Sequence, residues 1–299
     1  MFVIAALYHF APVADPEAWC ARLKALCEAS ELRGTLLIAG EGINGTVAGS
    51  EAAIATILAE IRRADGFATL SHKRATAQDM PFSRLKVRVK AEIVTMGQPG
   101  LDARRPGIHV APQDWNALIA APDVAVIDTR NGYETAIGTF EGAIDPQTES
   151  FRDFPDWWAA NGHRFANKRI AMFCTGGIRC EKSTAYLRAQ GVEEVYHLDG
   201  GILKYLEEVP EADSLWQGAC FVFDERVSVG HGLVPGEHAL CRACRRPVSK
   251  QDRAHDDYER GVQCPACVSE YSEADRARFR ERQRQVDLAA AKGLRHIGN

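Results

Sequence analysis

The sequence predicts an α/β chain: an N-terminal α+β domain, a central domain with a parallel sheet, and a small cysteine-rich module at the end. Three observations lead there. Strand-like and helix-like stretches follow the order βαββαβ up to residue 95. Between residues 123 and 198 apolar strands alternate with helical patterns, the rhythm of a parallel sheet with crossover helices. From Cys241 the composition turns to cysteine, then to arginine and glutamate. A chain of 299 residues with 46% hydrophobic content can bury two cores and carry an appendage. The expected division is a domain at 1–96, a linker at 97–112, a domain at 113–217 and a module at 218–299 with a basic helical tail.

In the N-terminal domain residues 2–8 read as a strand and 16–29 as a helix, with Trp19, Leu23 and Leu26 at helical spacing. A hairpin at 34–48, a helix at 51–64 with Ser50 as its N-cap, and a strand at 85–95 complete a split βαβ, or ferredoxin-like, order. In that last strand Leu85, Val87 and Val89 alternate with Lys86, Arg88 and Lys90. One face is apolar and the other cationic, either a solvated surface or one that contacts phosphates. The stretch "LLIAGEGINGTVAG" at 36–49 places Gly40, Gly42 and Gly45 in the spacing G-x-G-x-x-G. A dinucleotide loop needs a helix directly after those glycines, whereas Thr46 to Gly49 is β-branched and the helix waits until Glu51. Neither an NAD nor a flavin site is expected, and Asn44-Gly45 reads as the hairpin turn.

Residues 97–112 are rich in glycine and proline, carry Arg104-Arg105 and have no periodicity, so they read as a linker. "DVAVIDTRN" at 123–131 follows as a buried strand with polar residues, Asp128 and Arg130, at its end. The sharpest signal is "RIAMFCTGGIRCEKSTAYLRAQG" at 169–191. An apolar strand ends at Cys174, a loop of Thr175, Gly176, Gly177, Ile178 and Arg179 turns, and a helix opens near Cys180-Glu181. Backbone N–H groups of such a loop point inward and favour an anion at its centre, as does the helix N-terminus. A thiolate at Cys174 is stabilised there and becomes a nucleophile at neutral pH.

This segment resembles the active loop of the rhodanese family. "VIDTRNGYE" at 126–134, "FEGAI" at 140–144 and "VYHLDGGILKY" at 195–205 resemble that family's flanking stretches. The resemblance puts Cys174 on the cysteine that forms a persulfide, while Cys180 stands where Ser or Thr is usual. Over residues 1–267 the combination is narrower. "GEGINGT", "CTGGIRCEK", "FVFDERV" at 221–227 and the cysteine-rich tail together resemble the rhodanese-like tRNA uridine-34 hydroxylases, whose N-terminal domain is acylphosphatase-like. That resemblance implies oxygen-dependent conversion of the wobble uridine of tRNA to 5-hydroxyuridine. Molecular oxygen would be the co-substrate and the anticodon arm the bound partner, with Cys174, Cys180, Arg179, Asp128 and Arg130 at the site. A nucleophilic cysteine beside basic surface suits attack at the electron-poor C6 of uracil and activation of C5. A persulfide, a peroxide and a direct thiolate adduct fit the residues alike. Lys86, Arg88, Lys90, Arg104 and Arg105 are the expected RNA contacts.

Cys241-x₂-Cys244 and Cys264-x₂-Cys267 form two knuckles separated by 19 residues. Four thiolates in that pattern suit a closed, structural Zn²⁺ site. His238 and His255 are spare ligands that read as surface residues. The run Arg276 to Arg284 alternates with acidic and amide residues and reads as a solvated helix first and an RNA-binding arm second. No run approaches the about 18 apolar residues of a membrane span, and Met1 to Leu7 lacks the pattern of a signal peptide, so the expected location is the cytoplasm. In that reducing compartment the nine cysteines read as ligands, reactive thiols or core residues. Cys20, Cys27 and Cys220 belong to the last group.

Two other functions fit parts of the chain. A plain sulfurtransferase would carry sulfur on Cys174 without needing the N-terminal domain. A non-catalytic zinc-bearing RNA-binding protein would not need the intact Cys174.

Overall fold

The computed structural model describes residues 1–98 and 100–293; Pro99 of the expected linker and residues 294–299 of the expected tail lie outside the described residues. The elements run in order β1 (Phe2–Phe10), α1 (Pro16–Ala29), β2 (Arg33–Ala39), β3 (Gly42–Gly49), α2 (Glu51–Arg62), β4 (His72–Ala77) and β5 (Leu85–Val89). There follow β6 (Ile108–Val110), α3 (Pro112–Ile119), β7 (Val124–Asp128), α4 (Gly132–Thr135), β8 (Gly138–Phe140), α5 (Phe154–Asn161), β9 (Arg169–Phe173), α6 (Ile178–Ala189), β10 (Val195–Leu198) and α7 (Gly201–Glu208). Short pieces end the chain: β11 (Trp216–Gly218), β12 (Cys220–Phe221), β13 (Ser228–Val229), β14 (Ala239–Leu240), β15 (Pro247–Val248), α8 (Lys250–Arg253) and α9 (Glu273–Ala291). Two compact units result, one of residues 1–108, 151–162 and 178–195, the other of 109–150, 163–177 and 196–299.

The first unit holds a mixed five-stranded sheet in the order β4-β1-β3-β2-β5, antiparallel except where β5 runs parallel to β2. β1 buries Val3, Ala5 and Leu7 in alternation, the two-residue period of a half-buried strand. Asp15 caps α1 by accepting from Ala18 N at 2.9 Å, and Ser50 caps α2 by accepting from Ala53 N at 3.2 Å. Trp19, Leu23, Ile54, Ile57 and Phe67 pack with Leu36 and Ile38 into one core. Cys27 is fully buried among them, which pushes its thiol up to about 12, and Cys20 is half-buried.

Three expectations for this unit need correction. Asn44-Gly45 is not the hairpin turn: Gly40 and Glu41 connect β2 to β3, and Gly45 sits mid-strand opposite Leu36 and Leu7. Glycine is required there because a Cβ would stand 2.0 Å from Thr35 O. Asn44 uses its side chain to donate to Ile93 O at 2.9 Å. The strand expected at 85–95 ends at Val89, and the sixth member of the βαββαβ order is β4 instead, with β5 added as a fifth strand beside β2. β4, "HKRATA", has no apolar alternation; backbone pairing with β1, Phe2 opposite Ala77 through Leu7 opposite His72, defines it. Beyond Val89 the chain stays buried at Ile93 and Met96 but is irregular. Lys90 N still bonds Ile38 O of β2 at 2.8 Å, and the amides of Ile93, Met96 and Gly97 bond to carboxylates.

The second unit is built on a four-stranded sheet in the order β6-β10-β9-β7, with β7 and β9 parallel. β6 falls inside the segment read as a linker. Every residue of β7 is buried, and Trp115, Phe140, Phe173, Tyr205 and Trp216 form an aromatic core over the sheet. Near the C-terminus the four paired cysteines make a separate small cluster with Val248. α9 starts with a capping box between Ser272 and Asp275 and buries none of its residues.

Candidate active site

The loop expected to carry the nucleophile grows from β9, whose last four residues are buried, so the strand delivers Cys174 at a fixed place. Cys174 is 1% exposed. Gly177 N donates to its Sγ at 3.1 Å, closing the loop Cys174–Gly177 around the sulfur. Such a donor favours the thiolate over the thiol. From outside, the start of α7 grips the loop: Ile202 N donates to Cys174 O at 3.0 Å and Leu203 N to Thr175 O at 3.1 Å. That grip depends on Gly201, whose φ is +67° and where a Cβ would lie 2.5 Å from Cys174 O and 2.8 Å from Gly177 N. Thr175 and Gly177 are buried; Gly176 and Ile178 are half-buried.

The end of β7 braces this loop. Thr129 donates to Phe173 O through both its N–H and its Oγ1, each at 3.0 Å, tying the two strand ends together. Thr175 Oγ1 donates to Glu134 Oε1 at 3.2 Å, and Glu134 Oε2 accepts from Asn131 N at 3.1 Å. Glu134 is fully buried. Sequence reasoning did not single it out, although it closes the stretch "VIDTRNGYE".

Asp128 and Arg130 meet each other. Both are 0% exposed, and Arg130 grips Asp128 with two nitrogens, Nε to Oδ1 at 2.9 Å and Nη2 to Oδ2 at 2.6 Å. Thr139 Oγ1 donates to Asp128 at 3.0 Å; Arg130 also donates to Gly138 O at 2.6 Å and stacks over the Trp216 ring at 5.2 Å. Burial opposes the Arg130 charge, but Asp128 outweighs it and holds the guanidinium above its ordinary value. Arg179 and Cys180 stand on the first turn of α6, in the other unit, and are 8% and 0% exposed.

The expected RNA contacts divide. Arg88 is exposed on the edge strand β5 and Lys90 is exposed just beyond its end, while Lys86 is half-buried. Arg104 is paired with Asp102 through Nε at 2.7 Å and Nη2 at 3.0 Å, while Arg105 lies 3.9 Å from the same carboxylate. Most arginines of α9 are laced to acids, Arg276 and Arg280 to Glu273, Arg280 also to Glu259 and Arg284 to Glu281, while Arg282 donates to Arg242 O and Gly261 O. That is the solvated helix the alternation of charge predicts.

Cys241, Cys244, Cys264 and Cys267 come together, with all four sulfurs within 4.8 Å of one another. Sγ–Sγ distances are 3.9 Å for Cys241–Cys267, 3.7 Å for Cys244–Cys264 and 3.6 Å for Cys264–Cys267. A zinc ion with Zn–S bonds of about 2.3 Å sets its sulfurs about 3.8 Å apart along a tetrahedral edge, so the cluster has the dimensions of that site. A hydrogen bond from Cys244 also holds the Cys241 thiol well below its ordinary value. His238 and His255 are not among the four: His238 bonds Ser228 Oγ at 3.0 Å and His255 faces Asp257 at 3.6 Å.

Comparison with known proteins agrees in both halves. The UPF0176 acylphosphatase like domain matches residues 2–93, and the rhodanese-like domain matches residues 111–208. The tRNA uridine(34) hydroxylase of Jannaschia sp. (strain CCS1) is 65% identical over 298 residues, covering 100% of this chain and 99% of its own. That of Ruegeria pomeroyi is 62% identical, covering 99% of each, and that of Agrobacterium fabrum is 57% identical, covering 99% of this chain and 95% of its own.

Proposed function

Because the chain belongs to the tRNA uridine(34) hydroxylase family, we propose that it converts uridine 34 of tRNA to 5-hydroxyuridine with molecular oxygen as co-substrate and Cys174 as nucleophile. The observation that carries the reading is the Gly177 N–H aimed at Cys174 Sγ at 3.1 Å in a loop held from outside at Gly201. Addition of the thiolate at C6 of the uracil makes C5 electron-rich toward the oxidant, and loss of the C5 proton after oxygen has entered expels the thiolate from C6 and restores the ring double bond. One oxygen atom enters at C5 and the other leaves as water, with two electrons and two protons from a reductant. Thr175, Gly176, Gly177 and Ile178 line the anion loop with backbone N–H groups. Arg179 adds positive charge and Cys180 is the second thiol. Asp128 and Arg130 are assigned as positioning residues, a buried pair bracketing Thr129 under the strand ends.

The work divides along the chain. Residues 1–96 hold the anticodon arm with Lys86, Arg88 and Lys90, joined by Arg104 and Arg105 of the 97–112 segment. Residues 113–217 carry the chemistry. In the 218–299 module one zinc is held by Cys241, Cys244, Cys264 and Cys267, and the metal cross-links a segment whose buried cluster is small. A base in an anticodon loop leaves its stack at less cost than one in a duplex, which suits a buried nucleophile. No described helix is long and apolar enough to cross a membrane, and a tRNA substrate sets the place of action in the cytoplasm.

Nucleoside mass spectrometry of tRNA from a strain lacking this protein tests the function. Loss of 5-hydroxyuridine at position 34, restored by the wild-type chain, is expected. Unchanged tRNA, together with rapid transfer of sulfur from thiosulfate to cyanide by the purified protein, would overturn it in favour of a sulfurtransferase.

A further inference from the structure

Lys182 lies on α6 just beyond Arg179 and Cys180, and its side chain is 0% exposed. Lysine is almost never fully buried without partners. Here its ammonium donates to Glu41 Oε1 at 3.0 Å, to the Glu92 carboxylate and to Val94 O at 3.1 Å, which uses all three of its hydrogens. Both acids also accept from backbone amides. Glu41 Oε1 accepts from Ile93 N at 2.7 Å, and Glu92 accepts from Met96 N at 3.0 Å and Gly97 N at 2.9 Å. Glu41 is the acid of "GEGINGT" in the β2–β3 turn, and Lys182 is the lysine of "CTGGIRCEK". The two stretches thus meet in one cluster of the first unit around a buried ammonium and two half-buried carboxylates, and the chemistry described above uses neither charge.

Beside Cys180, Ala185 and Leu187, the α6 seating has further polar members. Its buried residues include Arg179, Lys182, Ser183 and Thr184. Gly107 N donates to Thr184 Oγ1 at 2.8 Å, Arg188 donates to Pro106 O at 2.8 Å, and Tyr8 OH donates to Glu181 at 3.2 Å. A buried ion cluster is seldom more stabilising than an apolar one of equal volume. What its directional bonds supply is a single seating of the helix.

We propose that Lys182, clamped between Glu41 and Glu92, is a positioning residue for the hydroxylation: it fixes the rotation of the first turn of α6, and with it Arg179 and Cys180. α6 begins at Ile178, the residue that follows Gly177 in the chain, so the helix and the loop are joined by one peptide bond. The activity arm of the test rests on the hydroxylase reading; a second arm does not.

Lys182→Met is compared with the neutral triple variant Lys182→Met, Glu41→Gln, Glu92→Gln. The single variant strands two half-buried carboxylates and lowers the unfolding temperature, whereas the triple variant returns near the wild-type value. In both, kcat falls by about tenfold or more, as expected for a small misplacement of reacting groups, while KM for tRNA stays within about twofold. The rate of Cys174 alkylation by iodoacetamide, read from the Cys174 peptide by mass spectrometry, also departs from wild type in both. A triple variant with wild-type kcat and wild-type alkylation overturns the proposal and leaves the cluster a fold anchor. If the wild-type protein leaves tRNA unmodified, the hydroxylase reading fails and alkylation alone decides the role of Lys182. Should the triple variant not fold, Glu41→Gln, which keeps the Glu92 pairing, takes its place: reduced kcat at unchanged KM supports positioning, and unchanged kcat overturns it.

Discussion

At the scale of single residues the site depends on two atoms of backbone more than on any charged side chain. Gly177 N faces the sulfur, and Cys174 O is held by Ile202 N across a gap that only a residue without Cβ leaves open. Gly201→Ala should therefore do two kinds of damage. A left-handed φ on alanine costs about 1–2 kcal/mol, and the Cβ pushes the Cys174 carbonyl away from α7. Thermal unfolding should show the loss of stability, and turnover should fall with it. Gly176→Ala is the matched control, because a Cβ there meets nothing within 4 Å and stability should hold. The stretch "DGGILKY" makes a Gly-Gly turn legible in the sequence, but which glycine is indispensable depends on a neighbour 27 positions earlier, Cys174. Asn44-Gly45 teaches the same from the other side. A pair that fits a turn locally sits mid-strand because Gly45 is pressed between two neighbouring strands.

At the scale of elements, the strands and helices with strong apolar periods, β1, α1, α2, β7 and β9, stand where the sequence puts them. β4 was not legible, since an edge strand of "HKRATA" is defined by hydrogen bonds to β1 and not by a buried face. Glu41, Glu92, Glu134 and Lys182 were illegible for a related reason: a charge reads as surface until its partner is known. The 92–97 segment gives a pH test. Burial pushes the Glu92 carboxyl up, but the bonds from Lys182, Met96 N and Gly97 N outweigh it, and the net value lies below the ordinary 4.5. A carboxyl depressed by folding stabilises the native state fully above its unfolded value and loses that contribution as pH falls through the folded one. Glu92→Gln should thus unfold more easily than wild type at pH 7, by about 1–3 kcal/mol. The difference should shrink at pH values below 4.5, where wild-type Glu92 takes up its proton as well. A gap that stays constant down to acid would remove the charge from the explanation.

At the scale of the whole molecule a net charge of −4 sits beside a locally cationic edge at Arg88 and Lys90. If that edge holds tRNA phosphates, affinity should fall steeply with salt. Replacing Lys86, Arg88 and Lys90 together should flatten the log–log slope by about 0.7–0.9 for each phosphate that is no longer neutralised. Cys174→Ser should leave the slope unchanged. The cysteine cluster predicts about one zinc per chain in protein purified under reducing, chelator-free conditions. Cys241→Ser should lose the metal and loosen the C-terminal module, as metal analysis and limited proteolysis would read. The four ligands were legible because zinc imposes a local spacing that survives in the sequence, unlike pairings between distant charges.

The claim that binds these scales is that Cys174 drives transfer of oxygen to uridine 34. The direct measurement is the mass of that nucleoside after purified protein, wild type or Cys174→Ser, is incubated with tRNA and a reductant under ¹⁸O₂. One heavy oxygen at uridine 34 with the wild type, and unmodified uridine with Cys174→Ser, is the predicted result. A hydroxyl that carries no label, or labelled product from Cys174→Ser, would contradict it.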